Sequence, residues 1–275
     1  NAVISRRRLK FRFMRHDAWE NALFVHWPVD PAYLAARLPR GLEPDVYEGS
    51  AWVGLVLLTE RGVAAHSPLL RRVVAPIDHL GANVRTYVQC AGVPGIYFFS
   101  LECSSLLASI GARLAGIPYF PALMERTVDV ERPVLARSTG ESGEPQAEGG
   151  PGFMFAFGSQ RKGRGKQPRV SGRWRLGAPG LAGQAPPPEG WLGRAKWFTE
   201  RYSVYAAFPW GAGPLLLRGD VTHPEWEVQP AVLEELEAEP LLAAAGFPGV
   251  AARAAEPHVC FSRGVGPVEF WMLEP

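Results

Sequence analysis

Glycine and proline impose the first constraint on this chain. Thirty glycines and 26 prolines are spread along 275 residues rather than pooled, so few stretches run far enough for a long helix. Such punctuation suits many short strands joined by turns. With 47% hydrophobic and 20% charged residues the chain can bury a substantial core, which excludes disordered and fibrous classes. No internal repeat is evident.

The segment from Val84 to Glu102 is the most informative. Val84, Val88 and Cys90 alternate with Arg85, Tyr87 and Gln89, and Tyr97, Phe99 and Leu101 alternate with Phe98, Ser100 and Glu102, the period of paired strands with one apolar face. With a turn over Ala91–Gly95 and the apolar faces in register, Arg85, Tyr87 and Gln89 share a side with Ser100 and Glu102, and Arg85 lies near Glu102.

Upstream, Asp30 caps a short helix that opens on Pro31 and ends before Pro39. Residues 42–47 and 51–60 form a hairpin whose second strand is central. Further strands are expected over 127–135, 153–159, 169–176 and 215–222, with a C-terminal hairpin over 259–263 and 268–273. Helices are expected from Ser104 or Ser105 through Leu114, over Gln229–Leu236 as an acidic helix, and as a short turn near Leu241. The stretches 138–152 and 177–190 read as long loops inside one domain, residues 19–275. Residues 1–18 read as a basic tail or edge segment.

The net charge of +2 offers no broad electrostatic footprint for nucleic acid. A basic run between Arg161 and Arg175, with Trp174 among it, could contact phosphates, but a solvated hairpin tip is the favoured reading. Three cysteines without a C-x-x-C pair, and six scattered histidines, suggest neither disulfides nor a metal site, and no cofactor is called for. Cys90 and Cys103 fall on apolar strand faces and read as inert thiols. No apolar run approaches the roughly 18 residues of a membrane span. The expectation is a cytoplasmic protein that takes a small-molecule ligand, with assembly into a homo-oligomer left open.

Several segments taken together are distinctive: Ala22-Leu-Phe-Val-His-Trp-Pro-Val-Asp30, Leu38-Pro-Arg-Gly-Leu42, Ala51-Trp-Val-Gly54, Asn83-Val-Arg-Thr-Tyr-Val88, Gly95-Ile-Tyr-Phe-Phe-Ser-Leu101, Pro118-Tyr-Phe120 and Phe198-Thr-Glu-Arg-Tyr202. In this order the chain resembles the YqjF-like family, domain of unknown function 2071. The resemblance implies an acetoacetate decarboxylase-like fold of the α+β class: a strongly curved, mainly antiparallel sheet closed into a cone-shaped barrel around a small-molecule cavity, with a few short peripheral helices. In the decarboxylases a lysine just after the helix that follows a core hairpin forms a Schiff base with a ketone. The matching segment here is Ile117-Pro-Tyr-Phe120, without lysine. Of the 29 basic residues only four are lysine (Lys10, Lys162, Lys166, Lys196), and none falls at that place.

The expected pocket is therefore Arg85, Tyr87 and Glu102, roofed by Tyr119 and joined by Glu200, Arg201, Tyr202 and His223. Arg85 suits a carboxylate or another planar anion because its fork binds bidentately. Glu200 and Arg201 read equally well as a structural ion pair. Two functions follow: a binding protein for a small acidic or carbonyl-containing molecule, or a lyase, isomerase or dehydratase without a Schiff base that uses Glu102, Tyr119 or Glu200 in acid–base roles.

Overall fold

A computed structural model describes residues 10–66, 75–106, 108–109, 118–131, 152–176, 189–210, 213–253 and 256–273. The strands are β1 (Lys10–His16), β2 (Ala18–Val29), β3 (Glu43–Pro44), β4 (Ala51–Ala65), β5 (Ile77–Cys90), β6 (Val93–Cys103), β7 (Tyr119–Glu131) and β8 (Gly152–Arg161), followed by β9 (Arg169–Leu176), β10 (Ser203–Trp210), β11 (Gly213–Thr222), β12 (Gln229–Pro230), β13 (Val232–Glu237), β14 (His258–Val265) and β15 (Val268–Leu273). Four short helices accompany them: α1 (Pro31–Ala35), α2 (Trp191–Thr199), α3 (Glu239–Ala244) and α4 (Val250–Arg253). The greater part of the helix expected after Ser105, and nearly all of the loops 138–152 and 177–190, lie outside the described residues.

The strands form one mixed sheet. As expected, β4 is central: it pairs with β2, with β5 and, near its end, with β1. Beyond β5 the sheet passes to β6, to the parallel β10, then to β11, β15 and β1. A branch leaves β6 through the parallel β7 and continues antiparallel through β8, β9 and β13. Residues 10–16, within the segment read as tail or edge, are thus a hydrogen-bonded strand between β4 and β15.

The two faces of β4 and β5 differ in kind. One carries Val53, Leu55, Leu57, Ala82 and Val84, packed against Phe155, Phe157 and Trp174 of the branch and against Leu241, Leu242 and Phe247. Each buried Val, Leu or Phe side chain here contributes roughly 1.5–3 kcal/mol by leaving water. The opposite face follows the pairs Gly54–Arg85, Val56–Asn83, Leu58–Gly81 and Glu60–His79. It is polar and aromatic, and α2 lies over one end of it, with Phe198 stacked 3.8 Å from the His26 ring.

Four expectations fail because pairing with other strands overrides the local pattern; the first is the hairpin over 42–47 and 51–60, since β3 pairs with β5 and not with β4. The β5–β6 turn is two residues, Ala91 and Gly92, both at positive φ, as a tight hairpin requires. Pairing then runs from Cys90–Val93 to Arg85–Phe98, but a bulge at Phe99 resets it to Val84–Ser100 and Ala82–Glu102. Because one residue of slip turns a side chain to the other face, Ser100 and Glu102 point away from Arg85.

The segment 229–236 is not an acidic helix. Pro230 interrupts it, and Glu234, Glu235 and Glu237 are drawn out along β9 by Arg175, Arg173 and Arg169. Finally, β14 and β15 do not form a hairpin: β14 pairs with β2 and β15 with β1. The chain passes between them over Gly264 and Gly266, where a Cβ would come within 2.5 Å of the Trp19 carbonyl and 2.3 Å of the Asp17 carbonyl.

Candidate functional site

The expected site residues fall into separate groups. Arg85 and Tyr87 stand on the polar-aromatic face of β5, beneath α2. The Arg85 Nη2 donates to the Tyr87 hydroxyl (3.2 Å) and to the Phe198 carbonyl (3.1 Å), and Nε has no partner. The Tyr87 hydroxyl also lies 2.6 Å from His26 Nε2.

Gly54 makes the arrangement possible, because a Cβ there would come 2.8 Å from the His26 ring. Arg201 joins from the segment after α2. Its Nη1 pairs with Asp45 at 2.5 Å, its Nε donates to the Trp197 carbonyl, and its guanidinium lies 5.2 Å from the Tyr87 ring centre. Two buried guanidinium cations therefore lie near one tyrosine ring, and Asp45 pairs with Arg201.

Burial, then the charges of Arg85 and His258, hold His26 well below the usual imidazole value. Burial likewise brings His258 down to about 4. Both fold uncharged, whereas the unfolded chain takes up these protons below about pH 6.5. The stability they lend is complete above that pH and lost as the pH falls towards 4. Urea unfolding at pH 8 and pH 5 is expected to differ by about 2 kcal/mol from His258 alone, and His258→Gln shrinks that difference. An unchanged pH response in the variant would show that the imidazole is not held neutral.

Glu102 is engaged elsewhere. Its side chain is 1% exposed and its Oε1 pairs with Arg161 Nη2 at 2.5 Å. The same guanidinium donates to Ser100 and lies over the Phe120 ring at 3.6 Å. Glu200 does not pair with Arg201. It accepts from the Trp226 backbone N–H at 2.9 Å and from the Tyr202 hydroxyl, and Tyr202 is stacked on His223. This third group lies at the surface, where Tyr202 is exposed, and it fastens Trp226 against Trp19 and Phe24.

Tyr119 opens β7 opposite Leu101. Burial first, then the charges of Glu60 and Cys103, push its hydroxyl well above the usual phenol value, so it keeps its proton. Cys103 itself is pushed by burial up to about 11 and Cys260 to about 12, which agrees with inert thiols. Beside Tyr119 lies a cluster that the sequence did not disclose. Glu60, 6% exposed, has His16 Nδ1 at 3.1 Å and His79 Nδ1 at 3.9 Å. His16, Glu60 and His79 come from three strands and share no spacing, so only the fold brings them together.

Along β4, Gly54 and Glu60 are six residues apart, about 20 Å, so the Arg85 group and the Glu60 group are two poles of one face. Among the described residues no three His, Cys, Asp or Glu side chains are arranged to hold a metal ion. No helix of the described residues is long and apolar enough to cross a membrane. A groove of about 390 Å³ runs along β7, β8 and β9 past Leu123, Gln160 and Arg169, away from both poles.

The mostly β, mixed-sheet fold with few helices is shared with solved acetoacetate decarboxylase-like structures. An acetoacetate decarboxylase-like enzyme from Sphingomonas wittichii RW1 superposes with a TM-score of 0.51 at 16% identity, over 96% of this chain and 94% of that one. The enduracididine biosynthesis enzyme MppR, with HEPES buffer bound, does so at 0.51 and 15%, over 94% and 85%. At such identities the likeness is one of fold. The chain belongs to the DUF2071 family, described as an uncharacterized conserved protein, whose model matches residues 16–266. It is 40% identical over 116 residues to the uncharacterized protein YqjF of Bacillus subtilis (strain 168), a match covering 41% of this chain and 46% of that protein.

Proposed function

We propose that this chain binds a small acidic ligand, a carboxylate or a carbonyl-bearing acid, against the polar-aromatic face beneath α2, with Arg85 as its anchor and Arg201 alongside. One observation carries the reading. Arg85 is 8% exposed, and among the described residues it donates to a phenol and a carbonyl but to no carboxylate. A cation withdrawn from water without an anion costs several kcal/mol, and an anionic ligand removes that cost.

The strand pairings support a curved sheet closed into a cone-shaped barrel around this face, since the path from β4 through β5, β6, β10, β11, β15 and β1 returns to β4. Lys196, on α2, is exposed and pairs with Glu225, while Lys162 and Lys166 sit at the β8–β9 turn. The ion pairs of Arg161, Arg169, Arg173 and Arg175 weigh against a nucleic-acid reading of the basic run.

Thermal unfolding in a titration of pyruvate, acetate or phosphate at constant ionic strength tests the proposal. A saturable rise is expected for at least one of these anions, worth about 2.7 kcal/mol at a hundred times its Kd, and absent in Arg85→Gln while that variant still folds. A wild type indifferent to all three anions, or a variant that keeps the rise, contradicts it. A variant that does not fold returns Arg85 to a structural role.

A further inference from the structure

The outer face of the branch supports a separate inference. The pairings of β7, β8 and β9 set their outward side chains in ranks: Glu125, Gly158 and Ser171, then Thr127, Ala156 and Arg173, then Asp129, Met154 and Arg175. The alternate residues of these strands point the other way, where Phe155, Phe157, Val170 and Trp174 are buried in the core. The outward positions of β7 and β9 in these ranks are exposed. The face is therefore striped: β7 is acidic, β8 is uncharged and β9 is basic.

The acidic and basic stripes do not meet within one copy. Two strand spacings, roughly 10 Å, separate them, with β8 between. On the far side of β9, Arg169, Arg173 and Arg175 pair with Glu237, Glu235 and Glu234 of β13. Among the described residues Glu125 and Asp129 have no such pair. Glu125 leans over the middle strand, since a Cβ at Gly158 would come 3.2 Å from its Oε1. The three arginines keep room for a second anion, because their side chains are 52%, 52% and 47% exposed and a guanidinium has five N–H groups to give. Leu123, an apolar side chain left 64% exposed, lies on the same face and lines the groove of about 390 Å³.

Acid on one side of β8 and base on the other make this face complementary to itself in one orientation. A two-fold axis lying along β8 sets β7 of each copy over β9 of the other, so that acid meets base twice. An axis across the strands would set β7 on β7 and β9 on β9, like on like. Stacked sheets lie about 10 Å apart, a gap that an aspartate and an arginine reaching from opposite sides can close. With the axis along β8, Asp129 falls opposite Arg175 of the other copy, and Arg173 falls between Glu125 and Asp129.

We propose that two copies of this chain associate through this face, strands aligned, about a two-fold axis along β8. Three strands about 4.8 Å apart, over the 10 residues of β8, cover about 500 Å² on each copy and about 1,000 Å² in all. That is the lower end for a specific interface, so the dimer is reversible. The branch packs on the face of β4 and β5 opposite to Arg85, and the dimer and the anion site stand or fall separately.

Sedimentation velocity of the full chain at about 100 µM, well above a micromolar Kd, is expected to show the dimer. It should give way to monomer between about 0.1 M and 1 M salt, as the screening length falls from roughly 10 to 3 Å. Glu125→Arg with Asp129→Arg turns β7 basic and is expected to stay monomeric. Arg173→Glu with Arg175→Glu turns β9 acidic and should do the same. Mixing the two variants should restore a dimer, because both of its contacts then join opposite charges. A parent that is monomeric at this concentration, or a dimer unaffected by the β7 reversal, overturns the proposal. So does a mixture of the two folded variants that does not associate. Should the β9 variant not fold, Ala156→Glu replaces it: this position lies at the axis, where two copies bring like charges together, and a dimer of unchanged strength overturns the proposal.

Discussion

Glu102→Gln is expected to unfold at far lower urea than the parent, with a loss of about 3–5 kcal/mol, while its response to anions is unchanged. The side chain is 1% exposed and meets Arg161 at 2.5 Å, with Ser100 donating to the same oxygen. The amide keeps the shape but removes the charge, and it leaves a part-buried guanidinium stacked on Phe120 without its counter-ion. Removing one member of such a pair costs more than replacing both, so Glu102→Leu combined with Arg161→Met should recover most of the loss. A single variant as stable as the parent that has lost its anion response would instead restore Glu102 to the ligand site.

Phe198→Ala should cost a similar amount, about 3–5 kcal/mol, and should also blunt the anion response. Phe198 is fully buried and sits 3.8 Å from His26, 5.0 Å from Trp52 and 5.3 Å from Tyr87. Its carbonyl is one of the few partners Arg85 has. Truncation leaves a cavity under α2 and frees the helix from the sheet, which urea unfolding followed by tryptophan fluorescence reads directly, since Trp197 packs against Phe198. A cost below about 1 kcal/mol would mean that other contacts hold α2 down and that Phe198 is not the lid over Arg85.

Much of the architecture was legible in the order of residues. The expected β9 coincides with the observed strand, β4 is central, Asp30 caps α1 by accepting from the Tyr33 N–H, and the series of short motifs pointed to the right family. These features depend on neighbours along the chain or on the alternation of one strand. The errors arose where a distant strand had the deciding vote. The acidic segment 229–237 has a helical composition, yet its glutamates face a row of arginines on β9. The strands 258–265 and 268–273 resemble a hairpin, yet β2, β4 and β1 separate them.

The sequence by itself determined the strand-rich character of the chain and the polar-aromatic alternation of β5, because composition and a two-residue period are local properties, while the ordered series of motifs carried the family. Only the tertiary structure decided which polar groups meet. A single bulge at Phe99 sends Glu102 to the opposite face from Arg85, since each residue of slip reverses a side chain. Glu200 passes to Trp226, and Arg201 to Asp45, 156 residues distant in the chain. His16, Glu60 and His79 come together because β1, β4 and β5 lie side by side, and no spacing along the chain records which strands become neighbours.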